Sequence, residues 1–217
     1  MLNQVDLMDD LPTRDRLVFA AMKLFGDKGY LSTSVQDILR EAGANAGSLS
    51  HFFPTKQDVL VAVLDMYRQG IVPMLLMPAW EGVDDPIERI FALLASYRHA
   101  LEISDCLYGC PIGSIALELH EPDPQVRELL SINFTQWVGH VEQCLVDAGD
   151  RLPADLDRHQ TAILVLNVME GGVMQSRTHR TLEAFDASVA GLRDYIDRLE
   201  RAASADRDSG AAGGTRT

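Results

Sequence analysis

Two cysteines four residues apart, Cys106 and Cys110, are the side chains whose type and spacing first suggest chemistry. A cysteine of lowered pKa could be oxidised or alkylated in this segment and so act as a sensor. The alternative is a pair of buried apolar thiols, which is favoured because no lysine or arginine lies nearby in the sequence to lower a pKa. Cys144 lies on the apolar side of its predicted helix and is expected to be a core residue.

An enzyme would need more than a cysteine. Cys110 could serve as a nucleophile with a histidine base, but the sequence has no Ser/Cys-His-acid spacing, phosphate-binding loop or metal motif. Three cysteines without CxxC or CxxH spacing also argue against a disulfide framework or a zinc site. We therefore predict no enzymatic activity, no metal and no cofactor.

Polar and aromatic side chains within largely apolar helices could instead bind a small molecule. His99, Glu118 and Glu170 are either polar anchors in a pocket or solvated, structurally satisfied residues. Tyr97 and Trp137 at helical spacing are more often core residues than pocket walls. We predict a pocket among helices at 87–104, 112–120 and 125–147. Its candidate lining residues are Tyr97, His99, Cys110, Glu118, Trp137 and Met169.

The composition is that of a globular protein. A chain of 217 residues with 47% hydrophobic residues can bury a substantial core. Residues 1–12 are acidic and polar, so we expect no secretory segment. The longest apolar stretches, near Ile71–Trp80 and Ala162–Met169, are predicted to be too short to span a bilayer. We expect a cytoplasmic protein without a membrane partner.

The stretch at residues 33–56, TSVQDILREAGANAGSLSHFFPTK, carries the signals of two helices joined by a tight turn. Thr33 is predicted to cap the first helix, with Gln36 completing a capping box. Gly43 is placed to end that helix in the left-handed conformation, and Asn45 to cap the second. This arrangement is a helix-turn-helix, whose second helix enters the major groove of DNA.

The remaining periodicity predicts an all-α fold of about nine helices, since no segment alternates with a period of two. Thr13 is predicted to cap a first helix, and three short helices are expected to share a core of Leu17, Phe25, Ile38, Leu49 and Phe53. The long helix from Lys56 is predicted to end or kink between Pro73 and Pro78. The predicted division is a disordered arm (1–12), a helix-turn-helix domain (13–55, the head), a ligand-binding and dimerisation domain (56–203) and a disordered tail (204–217).

The run FGDKGYLSTSVQDILREAGANAGSLSHFFPTKQDVLVAVL resembles the N-terminal domain of the TetR family of bacterial transcriptional regulators. The resemblance is close over residues 13–64 and extends beyond them in helix count and order, and YGCPIGSIALEL resembles the ligand domains of some members. It implies a homodimer whose two heads bind the half-sites of a palindromic operator on double-stranded DNA. It also implies a larger domain with a pocket for a small-molecule effector, which the class suggests is hydrophobic or amphipathic.

Carried over by position, the DNA-facing residues lie on the two motif helices and at the start of the next helix. The serines are short donors to phosphates or base edges, and the alanine and glycine let backbone N–H groups approach phosphates. The glutamine can read adenine, the histidine can donate to phosphate or purine N7, and the lysine would contact phosphate. These candidates are Ser34, Gln36, Ala46, Gly47, Ser48, Ser50, His51 and Lys56.

Two positions depart from the family pattern. Ala46 stands where a lysine is common and Ser50 where a tyrosine is common, and both of those usually touch the DNA backbone. Residues 13–60 carry only one net positive charge in a chain of net charge −13. Because phosphate neutralisation supplies much of DNA affinity, we expect weaker or differently specified binding with a shallower salt dependence.

The two glycines at 171 and 172 interrupt an apolar helix at a cost of about 1 kcal/mol each relative to alanine. Close approach of another helix explains that cost most simply, and a local kink is the alternative. With the apolar stripe of the last helix, they suggest the paired-helix dimer interface of the family. The predicted interface residues are Gly171, Gly172, Phe185, Val189, Leu192 and Ile196.

The sequence thus predicts a transcriptional regulator, a repressor released from its operator by a small molecule, with activator action left open. The alternative is a ligand- or thiol-redox-sensing helical protein whose head has weakened or lost DNA binding. The weak charge of the head and its two departures motivate that alternative.

Overall fold

The computed structural model describes residues 11–213, and within them the fold is entirely helical, which confirms the predicted fold class of about nine helices. Among the described residues, Gly149–Arg151 form a single 3-10 turn. The helices are α1 (Thr13–Lys28), α2 (Val35–Ala42), α3 (Ala46–Phe52), α4 (Lys56–Trp80), α5 (Pro86–Ile103), α6 (Pro111–Glu118), α7 (Pro124–Asp147), α8 (Arg158–His179) and α9 (Glu183–Gly213).

The chain forms two compact units. Of the described residues, the first unit contains those up to Gly70 together with Cys110–Phe134, and the second contains Ile71–Gly109 and those from Thr135 onward. Helix α6 and the first part of α7 therefore pack in the same unit as α1–α3. The boundary predicted between residues 55 and 56 stays a prediction.

The first unit has the core that the sequence predicts. Leu17, Phe25, Ile38, Leu49 and Phe53 are all at most 5% exposed. Helix α4 adds further fully buried aliphatic side chains, and Asn133 of α7 donates its Nδ2 to the α4 carbonyl of Leu64 at 3.1 Å. The head is thus completed by residues that lie outside it in sequence.

Of the two alternatives predicted for α4, an end or a kink between Pro73 and Pro78, the structure does not show the end. Residues Ile71–Leu76 are π-helical and the helix resumes its α form to Trp80. A proline lacks the N–H that an α-helix needs, and a shift to π pairing lets the helix continue past Pro73.

Taken whole, α4 is long and apolar enough by length and composition to cross a membrane, a property that Ile71–Trp80 alone does not have. In its first half Val59, Leu60, Val63 and Leu64 are at most 1% exposed. That part of the apolar surface lies in the core of the first unit.

The second unit is fastened by arginine–carboxylate pairs between α5 and α9. Arg98 makes a bidentate contact with Asp186 at 2.7 and 3.1 Å. Arg193 makes another with Glu88 at 2.6 and 2.9 Å, and its guanidinium lies over Phe91. These pairs fix the register of the two helices.

The C-terminal helix is longer than predicted. Helix α9 continues to Gly213, where a disordered tail was expected from residue 204. Ala205 and Arg207 have good helix propensity, and the Arg207 side chain donates to the carbonyl of Asp150. Residues 1–10 of the predicted arm and 214–217 of the predicted tail lie outside the described residues.

Candidate nucleic-acid interface

The first motif helix is capped one residue later than predicted. Ser34, not Thr33, is the N-cap of α2, and its partner is Asp37, not Gln36. The Ser34 Oγ accepts the Asp37 N–H at 3.1 Å, and the Asp37 carboxylate accepts the Ser34 N–H at 3.0 Å. The backbone hydrogen bond from Ser34, and then the Lys28 ammonium, hold the pKa of Asp37 well below its usual range. The Ser34 hydroxyl is therefore engaged within the protein, whereas Gln36 is exposed.

The recognition helix α3 begins at the predicted cap. Asn45 Oδ1 accepts the backbone N–H of Ser48 at 2.9 Å and the hydroxyl of the same residue at 3.2 Å. The hydroxyl of Ser50 donates to the carbonyl of Gly47 at 3.2 Å. Both serines can still accept hydrogen bonds, and the exposed residues of α3 are Ala46, Gly47, Ser50, His51 and Phe52.

Lys56 is placed differently from the predicted phosphate contact. Its Nζ donates to the carbonyls of Tyr30 and Thr33 at 3.0 Å each and lies 4.2 Å from the centre of the Tyr30 ring. Burial lowers the pKa of Lys56, and the nearby Glu118 carboxylate opposes that shift. This ammonium therefore clamps the α1–α2 loop.

Other cations around the head are paired with carboxylates at the surface. Lys28 lies 2.9 Å from Asp37, which also contacts Arg40, and Lys23 contacts Glu41. Exposed pairs of this kind contribute little to stability, so a phosphate can replace the carboxylate partner at small cost. The sequence predicted none of these three cations as DNA contacts, although their exposure makes them available.

The end of α3 borders a groove of the first unit. Phe52 is 40% exposed, whereas Phe53 is buried beneath the guanidinium of Arg14. The groove has a volume of about 520 Å³ and is also lined by α4 and the start of α7.

The six predicted pocket residues do not come together as one set in either unit. Tyr97, Trp137, Met169 and the exposed His99 belong to the second unit. There Trp137 Nε1 donates to the Tyr97 hydroxyl at 3.1 Å, and Met169 is fully buried. Cys110 and Glu118 belong to the first unit. None of the six lines the groove beside Phe52 or the cavity beside Cys106.

Glu118 binds the backbone of the head. Its Oε2 accepts the N–H of Leu31 at 2.9 Å. A Cβ added to Gly29 would lie only 2.3 Å from its Oε1. Helix α6 thereby contacts the α1–α2 loop, which no sequence signal indicated because the partners are 87 residues apart.

The cysteines are buried, with 4% exposure at Cys106, 6% at Cys110 and 4% at Cys144. Burial raises the pKa of Cys144 to about 11. Cys106 nevertheless lines a cavity of about 500 Å³ in the second unit, where it, Asp105 and Arg180 adopt left-handed φ angles of 56°, 50° and 57°. The Arg180 Nη1 donates to the carbonyl of Cys106 at 3.1 Å. The described residues contain no cluster of three or more side chains able to hold a metal ion.

Three of the predicted interface residues are buried within one chain. Phe185, Leu192 and Ile196 are at most 3% exposed, so they are core residues, which differs from their predicted place in the interface. A Cβ on Gly172 would meet Phe185 at 3.1 Å, whereas nothing lies within 4 Å of a Cβ on Gly171. Apolar residues do remain exposed on α8 and α9, namely Ile163, Leu164, Met174 and Tyr195.

Two short capped helices, of which the second is exposed and begins with small residues, define a helix-turn-helix DNA-binding protein. Residues 17–63 match the family of bacterial regulatory proteins known as the tetR family. Residues 86–190 match the C-terminal domain of transcriptional regulators described as LmrA/YxaF-like. The chain belongs to the TetR family of helix-turn-helix transcriptional regulators.

Relatives align over most of the chain. The uncharacterised regulator YxaF of Bacillus subtilis is 27% identical over 168 residues, which are 77% of this chain and 86% of that protein. The transcriptional repressor DhaR of Mycobacterium sp. is 26% identical over 178 residues, 81% of this chain and 87% of that protein. The crystal structure of a TetR regulatory protein from Rhodobacter sphaeroides has the same fold, with a TM-score of 0.76 and 22% identity, covering 83% of this chain and 96% of that one.

Proposed function

We propose that this protein represses transcription by binding a palindromic operator as a homodimer and leaves the operator when a small molecule binds. The observation that carries the proposal is the face of α3 on which Ala46, Gly47, Ser50 and His51 are exposed. Small side chains allow the helix to enter the major groove closely, and His51 supplies a donor for phosphate or purine N7. The relative DhaR, whose name describes a repressor, supports the direction of the effect.

The homodimer is supported by the exposed apolar residues of α8 and α9. Ile163, Leu164 and Met174 recur at helical spacing on α8, and Gly171 lies on the same side with open space above it. A second copy of this face would cover the apolar side chains and approach closely at the glycine. Two heads held in this way would reach half-sites about 34–36 Å apart.

The effector is proposed to be an amphipathic or hydrophobic molecule. Tyr97, Trp137 and Met169 remain candidate contacts within the second unit, and a polar pair such as Trp137 Nε1 and the Tyr97 hydroxyl could be exchanged for ligand contacts. An effector of this kind acts by favouring the conformation that does not fit the operator. The protein is proposed to act in the cytoplasm, with no membrane partner, no catalysis and no cofactor.

In vitro selection of random duplexes by the full-length protein tests DNA binding. We expect enrichment of a palindrome whose half-sites are separated by one helical turn. Ser50→Asp should abolish binding because it places a carboxylate on the DNA face, whereas Ser131→Asp, at an exposed position of α7, should leave binding unchanged. Failure to enrich any sequence at low salt would contradict the proposal.

The thiol-sensing alternative has a separate test. Because the cysteines are buried, iodoacetamide at neutral pH should label the native protein slowly and the urea-unfolded protein rapidly. Rapid labelling of native Cys106 or Cys110 would favour the sensor instead.

A further inference from the structure

The α1–α2 loop, residues 29–33, is held by side chains from inside and outside the head. From inside, the Thr33 hydroxyl donates to the carbonyl of Gly29 at 2.7 Å, and Thr33 is 1% exposed. From α4, Lys56 donates to the carbonyls of Tyr30 and Thr33. These bonds satisfy carbonyl groups of the loop but leave its central N–H, that of Leu31, to another partner.

That partner is Glu118, the last residue of α6. Its carboxylate accepts the Leu31 N–H at 2.9 Å and lies so close to Gly29 that a methyl group there would displace it. The side chain of Leu31 is 62% exposed, so apolar packing does not hold this point of the loop. The carboxylate also attracts the Lys56 ammonium, which joins the α4 and α6 contacts into one arrangement.

Helix α6 has a double membership. By sequence it lies inside residues 86–190, which match the C-terminal domain of the family. By contacts it belongs to the first unit, together with the head. Glu118 is therefore a residue of the C-terminal domain match that hydrogen-bonds the backbone of the head.

We propose that Glu118 is a positioning residue for operator recognition. By holding Leu31 it fixes the loop that leads directly into the Ser34 cap of α2. Helix α2 is the first half of the helix-turn-helix, and it and the recognition helix α3 both pack against α1. The inference rests on the proposed DNA-binding function and adds to it a residue, outside the motif, on which specific reading of DNA depends.

The direction in which DNA affinity changes when Glu118 is removed distinguishes a positioning role from a purely electrostatic one. Removing the Glu118 carboxylate makes the first unit more positive by one charge, which by electrostatics alone tightens DNA binding. Loss of the loop contact predicts the opposite for the operator, because a misplaced α2 loses geometry that only the specific complex requires. The ratio of specific to non-specific affinity is therefore the informative quantity.

The test compares Glu118→Ala and Glu118→Gln with Glu121→Ala, which removes a carboxylate from a neighbouring exposed position. Affinities are measured for the selected operator and for a scrambled duplex at equal salt. We expect Glu118→Ala to lower the ratio of the two affinities about tenfold, the loss expected for one charge-assisted hydrogen bond. Glu118→Gln keeps an acceptor oxygen and should recover part of the ratio, and Glu121→Ala should leave the ratio unchanged. An unchanged or raised ratio in Glu118→Ala would overturn the proposal.

Hydrogen exchange provides a readout that does not depend on DNA. The Leu31 amide should exchange at least tenfold faster in Glu118→Ala than in the parent, while amides of α8 and α9 keep their rates. If Leu31 is unaffected, the positioning role fails even when operator binding is present. If Leu31 responds and no operator can be selected, the proposed function fails while the contact stands.

Discussion

Replacing Lys56 by methionine separates its two assignments, as a phosphate contact and as a clamp of the α1–α2 loop. The structure gives the ammonium two hydrogen bonds of 3.0 Å to carbonyl groups and a position 4.2 Å from the Tyr30 ring. Hydrogen bonds to a charged group contribute about 1.5–3 kcal/mol each, and a partly exposed cation–π contact about 0.5–1 kcal/mol. The burial that lowers the pKa of Lys56 offsets part of this sum. We expect Lys56→Met to lower the free energy of unfolding by about 2 kcal/mol.

The matching assays are urea unfolding and DNA binding over a range of salt concentrations. A lost phosphate contact would reduce the slope of log K against log salt by about 0.9. A lost clamp leaves that slope unchanged and lowers stability. Lys23→Met is the control for the stability measurement, because Lys23 forms an exposed pair with Glu41 and its loss should change stability by less than about 1 kcal/mol. Unchanged stability together with a slope reduced by about 0.9 would refute the clamp.

Three further predictions concern glycines and a thiol. Gly29→Ala should destabilise the protein by about 1–3 kcal/mol in urea unfolding, because φ is +89° and the new methyl group would collide with a carboxylate. The control Gly26→Ala, in open space on α1, should stabilise the protein by up to about 1 kcal/mol. Equal effects of the two substitutions would contradict the prediction. Gly172→Ala should lower the unfolding free energy by about 1–2 kcal/mol, because the new methyl group overpacks against the next helix. Gly171→Ala should not destabilise the isolated chain but should weaken self-association measured by analytical ultracentrifugation. An unchanged dissociation constant of the Gly171→Ala dimer would show that Gly171 is not in the interface. Burial raises the pKa of Cys144 from 9.0 to about 11, so the stabilising contribution of the thiol is complete below pH 9 and is lost as the pH rises to about 11. The unfolding midpoint should therefore fall less between pH 9 and 11 in Cys144→Ala than in the parent protein. Parallel plots of unfolding midpoint against pH for the two proteins would show that the thiol does not titrate in this way.

Helix order and the core of the head followed from sequence because apolar residues recur with the period of a helix. The cap of α2 did not, since Thr33 and Ser34 are adjacent and both are good caps. The burial of Thr33 against α1 decides between them, and that burial depends on tertiary packing. Local patterns thus located the element but not its first residue.

The contacts that Lys56 and Glu118 make within the chain were not predicted, for a related reason. The sequence shows each residue only on its own helix, where Lys56 is predicted to contact phosphate and Glu118 to line a pocket, and both roles stay predictions. In the structure both side chains bind the α1–α2 loop, whose backbone groups have no signature in the sequence. The interface prediction shows the same limit, because Phe185, Leu192 and Ile196 form a stripe that packs inside one chain. Periodicity identifies an apolar face without identifying what covers it.

The contact between Leu31 and Glu118 has a consequence for exchanging parts between regulators. A chimera that joins the head of one protein to the C-terminal domain of another at a single junction after residue 63 would separate the loop from its own α6. If Glu118 has the proposed positioning role, such a hybrid would keep the predicted DNA-facing residues and still bind its operator poorly. A transplant designed from this structure would carry α6 with the head, as two segments of the chain, so that the loop keeps its carboxylate.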